Sequence, residues 1–233
     1  MLTNPHFNRQ KRGNRCLLVY ICTLVSSTIF GGTLAQADDY QTNAITAVTP
    51  SLKPPFEKLF EEQGAQVIRG TSRSVCKIWL ARKLPTDATA QDGYPLKVGG
   101  LVGVVEYTRK SRDFRDQEIP KGVYTLRYAR IPTDGAHEGT SPTSDFLVLV
   151  AAQQDKSPTP LKIEDLIEKS SDSIDSSHPC ILALKSPRGK AQPSMHHEEE
   201  HDWWMLQVSG RTASGSNTKE LSLCIVVAGF AEE

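Results

Sequence analysis

GVYTLRYAR, residues 122–130, places Tyr124, Leu126 and Tyr128 at alternate positions, with Val123, Thr125 and Arg127 between them. A period of two is that of a β-strand, and one apolar face opposite a mixed face marks an antiparallel strand resting one side on a core. Outward from this segment the signal recurs. Runs rich in β-branched and aromatic residues occupy 66–69, 74–82, 96–108, 122–131, 145–152, 180–185, 202–209 and 220–229, separated by Pro, Gly, Asp and Ser clusters. In the last run Leu221, Leu223, Ile225 and Val227 share a face, and the opposite face is also largely apolar after Ser222, as expected of a central strand. Eight strands suffice for two packed sheets, so the expected fold is mostly β: a single antiparallel β-sandwich or jelly-roll-like domain. Two short peripheral helices are expected beside it. One spans 55–64, where Phe56, Leu59 and Phe60 fall at i, i+3 and i+4 between Pro55 and Gly64; the other spans 163–169, where Ile163, Leu166 and Ile167 line up after Pro160.

The N-terminus follows a different pattern. Arg9, Lys11, Arg12 and Arg15 precede an apolar run from Cys16 to Phe30, and Ala35-Gln36-Ala37 fits a small-residue cleavage site, so 1–37 reads as a cleaved signal peptide. Ser26, Ser27, Thr28, Gly31 and Gly32 keep the run short of the about 20 apolar residues a spanning helix needs, and no membrane span is expected after cleavage. The protein is therefore expected to be secreted or periplasmic. Residues 38–54 lack apolar periodicity and end at a proline pair, which reads as a flexible leader, leaving 55–233 as the sandwich domain.

The whole chain of 233 residues balances 27 Lys plus Arg against 27 Asp plus Glu, and losing the four basic signal residues leaves a mature net charge of −4. A mildly acidic domain without a long basic block carries no electrostatic footprint for nucleic acid or an anionic membrane surface. Cys16 and Cys22 leave with the signal. Cys76, Cys180 and Cys224 remain, each within a strand-like run where a packed free thiol behaves as a small hydrophobe.

Three segments offer chemistry. The loop PTDGAHEGTSPTS at 132–144 is long for a hairpin, and turn-forming accounts for Asp134, Gly135 and Pro142 but does not require an imidazole. His137, Ser141 and Asp145 are accordingly ligand-binding candidates, with Trp203 as an aromatic platform. The stretch MHHEEEHDWW at 195–204 is the densest in metal-capable side chains; extended, it sets His197, Glu199, His201 and Trp203 on one side and His196, Glu198, Glu200, Asp202 and Trp204 on the other. His137, His178, His197, Glu199 and His201 form the candidate set for a possible divalent metal, and no other cofactor is expected. No H-E-x-x-H motif supports it, and His178, in Ser177-His178-Pro179, reads equally as a turn cap. Gly139-Thr140-Ser141-Pro142-Thr143 breaks the nucleophile elbow at its last position, Gly99-Gly100-Leu101-Val102-Gly103 lacks the helix and Lys-Ser/Thr of a phosphate loop, and RKSRDFRDQE at 109–118 reads as a solvated loop with internal ion pairs.

GVYTLRYAR at 122–130, DGAHEGTSP at 134–142 with Asp145-Phe146-Leu147, Ser177-His178-Pro179 and the ending around 226–232 together resemble a group of uncharacterised exported bacterial proteins. The resemblance implies export and a single β-rich domain; it implies no activity. A fainter similarity to cupin-type jelly rolls lies in histidines beside strands, but the H-x-H pair followed by Glu and a later His is missing. The combined expectation is an exported, non-catalytic domain that binds an extracellular or periplasmic ligand or envelope partner through its loop end. The alternative is a metal-dependent jelly-roll enzyme, hydrolase or oxygenase-like, using the His/Glu set.

Overall fold

The computed structural model describes residues 39–47, 50, 52–90, 92–131, 141–189, 193–214 and 217–231. Among them the elements are β1 (Tyr40–Ile45), β2 (Gly64–Arg69), β3 (Arg73–Leu80), β4 (Leu101–Tyr107), β5 (Ser111–Arg112), β6 (Glu118–Ile119), β7 (Gly122–Arg130), β8 (Asp145–Ala151), α1 (Ile163–Ile174), β9 (Ile181–Lys185), β10 (Ser194–Glu198), β11 (Trp203–Ser214) and β12 (Asn217–Ala228). The segment expected to be a cleaved signal peptide, 1–37, lies outside the described residues.

Ten strands form one antiparallel sheet in the order β1-β2-β3-β4-β7-β8-β9-β12-β11-β10, while β5 and β6 make a separate small hairpin. The chain meanders from β1 to β9, then skips two places so that β12 lies beside β9, between it and β11, and β10 returns toward β1. The first and last strands approach each other along a seam with no ladder pairing among the described residues, and Tyr40 of β1 packs on Trp204 of β11 with ring centroids 5.3 Å apart. The sheet is thus nearly barrel-shaped, which corrects the expected two-sheet sandwich. Alternation shows that one face of each strand is inside; whether accumulated twist folds a sheet over or curls it shut is decided by the number of strands and their stagger, which alternation does not carry.

Cross-strand partners trace a continuous inner face. Ile78 pairs with Val105 and Val105 with Tyr124. Leu126 pairs with Leu149, Leu147 with Leu182, Leu184 with Ile225, and Ile225 with Leu206. All of these side chains are buried in one cluster, so the interior is filled. At about 1.5–3 kcal/mol for each large apolar side chain removed from water, this cluster is the main source of stability. The outer face of β8, β9, β11 and β12 carries a second buried cluster, including Phe146, Val148, Ile181, Met205 and Val226, covered by Leu166 of α1 and by Phe114 beyond β5.

Three expectations are revised. The stretch 38–54 supplies β1, a full antiparallel partner of β2, because its backbone satisfies the edge of β2 even though its side chains are mostly polar. The helix expected over 55–64 is absent: Phe56 and Leu59 donate their N–H groups to Lys53 O and Phe56 O, three residues back, as in successive turns. A segment this short does not recover the cost of helix nucleation, and turns suffice to bury Phe56 and Phe60. The second helix extends beyond 169 to Ile174 and ends where Asp175 adopts a left-handed conformation. Two helices are expected from the sequence; among the described residues there is one.

Arg127 is the other departure from alternation. Its face is not solvated; the side chain has 0% exposure. Nε and Nη2 donate to Asp155 Oδ2 at 2.8 Å and Oδ1 at 2.9 Å, Nη1 donates to Gly99 O at 2.7 Å and Thr159 O at 3.0 Å, and Nη2 also donates to Ser157 O. All five guanidinium N–H groups are therefore used. Thr125 Oγ1 adds a bond to Asp155 Oδ2 at 2.6 Å. Gly99 permits this approach: its φ is +73°, and a Cβ there would stand 1.9 Å from Leu161 O.

Arg127→Met is expected to lower unfolding free energy by about 3–5 kcal/mol in urea titrations, because it leaves Asp155 buried and uncompensated, whereas Arg127→Met with Asp155→Leu should recover much of that loss. Equal losses in both variants would show that the carbonyl contacts, not the pair, matter most.

Cys76, Cys180 and Cys224 are buried and free. Burial pushes Cys76 up to about 12 and Cys224 to about 11 from an ordinary 9.0, and it raises Cys180 as well. Above pH 9 the unfolded chain therefore releases thiol protons that the folded state retains; the stability contribution is complete below that value and falls as pH rises towards 11–12. Urea midpoints should drop between about pH 8 and about pH 10.5, and drop less in Cys76→Ala. An identical drop in both proteins would rule out a contribution from Cys76.

Candidate functional site

The loop-bearing rim of the barrel holds a cleft of about 680 Å³ between the 93–95 turn, the start of β8, the end of β9 and the first half of β12. Asp145 opens β8 directly across from Arg130, the last residue of β7, so the strand pairing itself delivers this carboxylate to the rim. Two groups hold it there. The Tyr128 hydroxyl donates to Asp145 Oδ1, and the Tyr94 N–H donates to the same oxygen at 3.4 Å. Asp145 Oδ2 makes no hydrogen bond with any described residue.

Tyr94 is fixed in turn. Its hydroxyl donates to Lys185 O at 2.6 Å and accepts from the Cys224 N–H at 3.1 Å, bridging β9 and β12. Burial is the leading cause that raises the phenols of both Tyr94 and Tyr128, and for Tyr128 the bond to Asp145 and its charge add to the rise. Both tyrosines are thus neutral donors at physiological pH. Gly93, with φ +71°, lets the turn lie against the carboxylate: a Cβ at this position would come within 2.7 Å of both Asp145 oxygens. Glu220 and Ser222 form the facing wall.

Of the ligand-binding candidates, Asp145 lies in this cleft. Ser141 is nearby in sequence, and its Oγ accepts the Thr143 N–H at 3.4 Å in a local turn. His137 lies outside the described residues. Trp203 is no platform: it is wholly buried, its Nε1–H donates to Phe230 O at 2.9 Å, and it is covered by Phe114 on one side and His201 on another. Reading the stretch as one extended segment concealed this, because the chain turns over 199–202 and β11 then packs Trp203 beneath the β5–β6 hairpin.

The same turn separates the metal candidates. His197 on β10 stacks on Trp204 at 4.1 Å and shares a 2.7 Å contact between Nε2 and Asp202 Oδ1. His201 stacks on Trp203 at 4.4 Å and approaches Glu198 Oε2 with Nδ1 at 3.4 Å. Trp203 and Trp204 are consecutive in a strand, so their rings, and the histidines on them, occupy opposite faces of the sheet. Glu199 is exposed in the turn and His178 is exposed after α1. Among the described residues no three His, Cys, Asp or Glu side chains come together as a metal site. Period-two alternation requires an unbroken strand, and Asp202, with φ 52°, is where the strand breaks.

The sequence offered no sign of Tyr94 or Tyr128 as partners of Asp145, or of Glu220 in the same cleft. Tyr94 lies 51 residues before Asp145 in the chain and meets it because β4, β7 and β8 are neighbours in the sheet and bring the turn before β4 to the start of β8.

Tyr128→Phe should lower stability by about 1.5–3 kcal/mol, the range for a hydrogen bond to a charged group, and Tyr128→Phe with Asp145→Asn should fall short of the sum of the single losses. Strict additivity in urea titrations would deny the coupling. Comparison with protein-family models, with curated proteins and with solved structures returns no match.

Proposed function

We propose that this protein is an exported, non-catalytic barrel domain that binds a polar extracellular or periplasmic ligand in the cleft at its loop-bearing rim. The observation that carries the reading is Asp145, which lines the cleft: one oxygen is committed to Tyr128 and Tyr94, and the other accepts no hydrogen bond from a described residue. A carboxylate held in this way is preorganised to accept, and preorganisation reduces the ordering cost of binding. Glu220 on the facing wall supplies a second acceptor. The complementary ligand bears donors, either hydroxyl or ammonium groups. The filled barrel interior supports a rim site over an enclosed one, since inner-face side chains occupy the space that a larger barrel would leave for a ligand. No helix among the described residues is long and apolar enough to cross a membrane.

The reading is tested by titrating the protein with monosaccharides, polyols, amino acids and polyamines while following backbone amide resonances. At least one class should shift the amides of Gly93, Tyr94, Ser144, Asp145, Lys185, Ser186 and 220–222 saturably, and Asp145→Asn with Glu220→Gln should weaken that response about tenfold or more. If no class perturbs the cleft, or the double variant responds as the parent does, the proposal fails. The alternative metal-dependent enzyme is tested separately by elemental analysis of protein purified without a polyhistidine tag. A stoichiometric metal lost in both His137→Ala and His197→Ala would replace the binding reading.

A further inference from the structure

The opposite rim of the barrel carries a second groove, of about 430 Å³, where the β2–β3 turn, the β5–β6 hairpin and the end of β12 meet. Its position follows from strand direction: β12 passes the Asp145 cleft at 220–222 and reaches this groove at 227–230. Arg69, Arg73, Arg109, Lys110 and Arg112 line it, against the carboxylates Asp113, Asp116 and Glu118.

Those carboxylates are already committed. Asp116 pairs with Arg112 at 2.9 Å and Glu118 with Lys110 at 2.7 Å. Asp113 is buried, and its oxygens accept from the Arg115, Gln117 and Ile181 N–H groups at 2.8, 2.9 and 3.0 Å and from Gln117 Nε2 at 3.0 Å. Arg69 lies over the Tyr40 ring at 5.7 Å. Arg73 and Arg109 have no ion-pair partner among the described residues, and both are exposed. Beside them the wall is apolar: Val75 and Val227 line the groove, and Phe230, 50% exposed, stands at its edge.

We infer that this groove binds a phosphate monoester with an apolar body. Guanidinium forks match the oxygens of a phosphate in pairs, and two uncommitted forks supply the charge for a dianion. The apolar wall takes the organic part and gives preference over the bare ion. The segment 109–118 is therefore more than a solvated run with internal ion pairs: those pairs satisfy Arg112 and Lys110 and leave Arg109 for the groove.

The experiment is calorimetric titration of the purified protein at low ionic strength with phenyl phosphate, inorganic phosphate and benzyl alcohol. Phenyl phosphate should bind one to one, about tenfold tighter than inorganic phosphate, and benzyl alcohol should not bind. Arg73→Gln with Arg109→Gln should weaken phenyl phosphate about tenfold or more; Phe230→Ser should bring it to the level of inorganic phosphate; Lys156→Gln, on the crossover before α1, should change nothing. Thermal melts establish that each variant is folded. Absence of saturable binding, unchanged affinity in the double variant, or equal affinity for phenyl and inorganic phosphate overturns the inference. Sedimentation with phosphatidylcholine vesicles containing phosphatidic acid identifies the source: pelleting that phenyl phosphate competes away assigns a lipid headgroup, no pelleting assigns a soluble ester, and pelleting that it does not compete overturns the groove as the site.

Discussion

The five N–H groups of the Arg127 guanidinium decide how the outer face of the sheet is covered. A charge placed at the centre of a strand and removed from water is tolerable only if every donor finds an acceptor, and three of the five acceptors here are backbone carbonyls of Gly99, Ser157 and Thr159. Two connecting segments must therefore close over β7, and the second leads directly into α1. The helix then seals the outer cluster: Ser170 Oγ accepts the Cys180 N–H at 2.9 Å and Ser173 Oγ accepts the Ala151 N–H at 2.7 Å, completing the exposed ends of β9 and β8. A polar residue on the outward face of β7 thus orders a chain of backbone commitments that reaches two strands away.

Most strands were legible because alternation is a local property. Tyr124, Leu126 and Tyr128 announce an inner face without reference to any partner, and the centrality of β12 follows from apolar residues on both of its faces. What was not legible depends on partners distant in the chain. β1 is recognised by the edge of β2 and not by its own polar side chains; Arg127 reads as solvated until Asp155 is brought over it. At the cleft, Asp145 was visible as a chemically capable residue at a strand entrance, but Tyr94 reaches it only once β4, β7 and β8 pair as neighbours. The histidine-rich stretch misled for the converse reason. Its density is real, yet one turn sends His197 and His201 to opposite sides of the sheet, each against its own tryptophan.

The two rims differ in the chemistry they present. At one, carboxylates outnumber ammonium groups and a pair of neutral phenols sets the key acceptor; at the other, guanidinium groups outnumber the carboxylates, which are paired or turned inward. A packed barrel core separates them, and because a close-packed interior of low compressibility transmits strain, the shared strand β12 is the route by which a displacement at one rim reaches the other.

The seam between β1 and β10 gives the molecule an uneven mechanical character. Every other junction in the sheet is closed by a ladder, so separating two strands elsewhere breaks several hydrogen bonds at once, whereas the seam is held by side chains such as Tyr40, Trp204 and His197. Tyr40 and Ile45 of β1 and Met195 of β10 pack against the inner cluster, so the seam is closed by apolar contact where ladder pairing is missing among the described residues. Under native conditions deuterium should enter β1 and β10 through small fluctuations, while β7 and β8, enclosed on both sides and tied by Arg127, exchange only when the whole barrel comes apart.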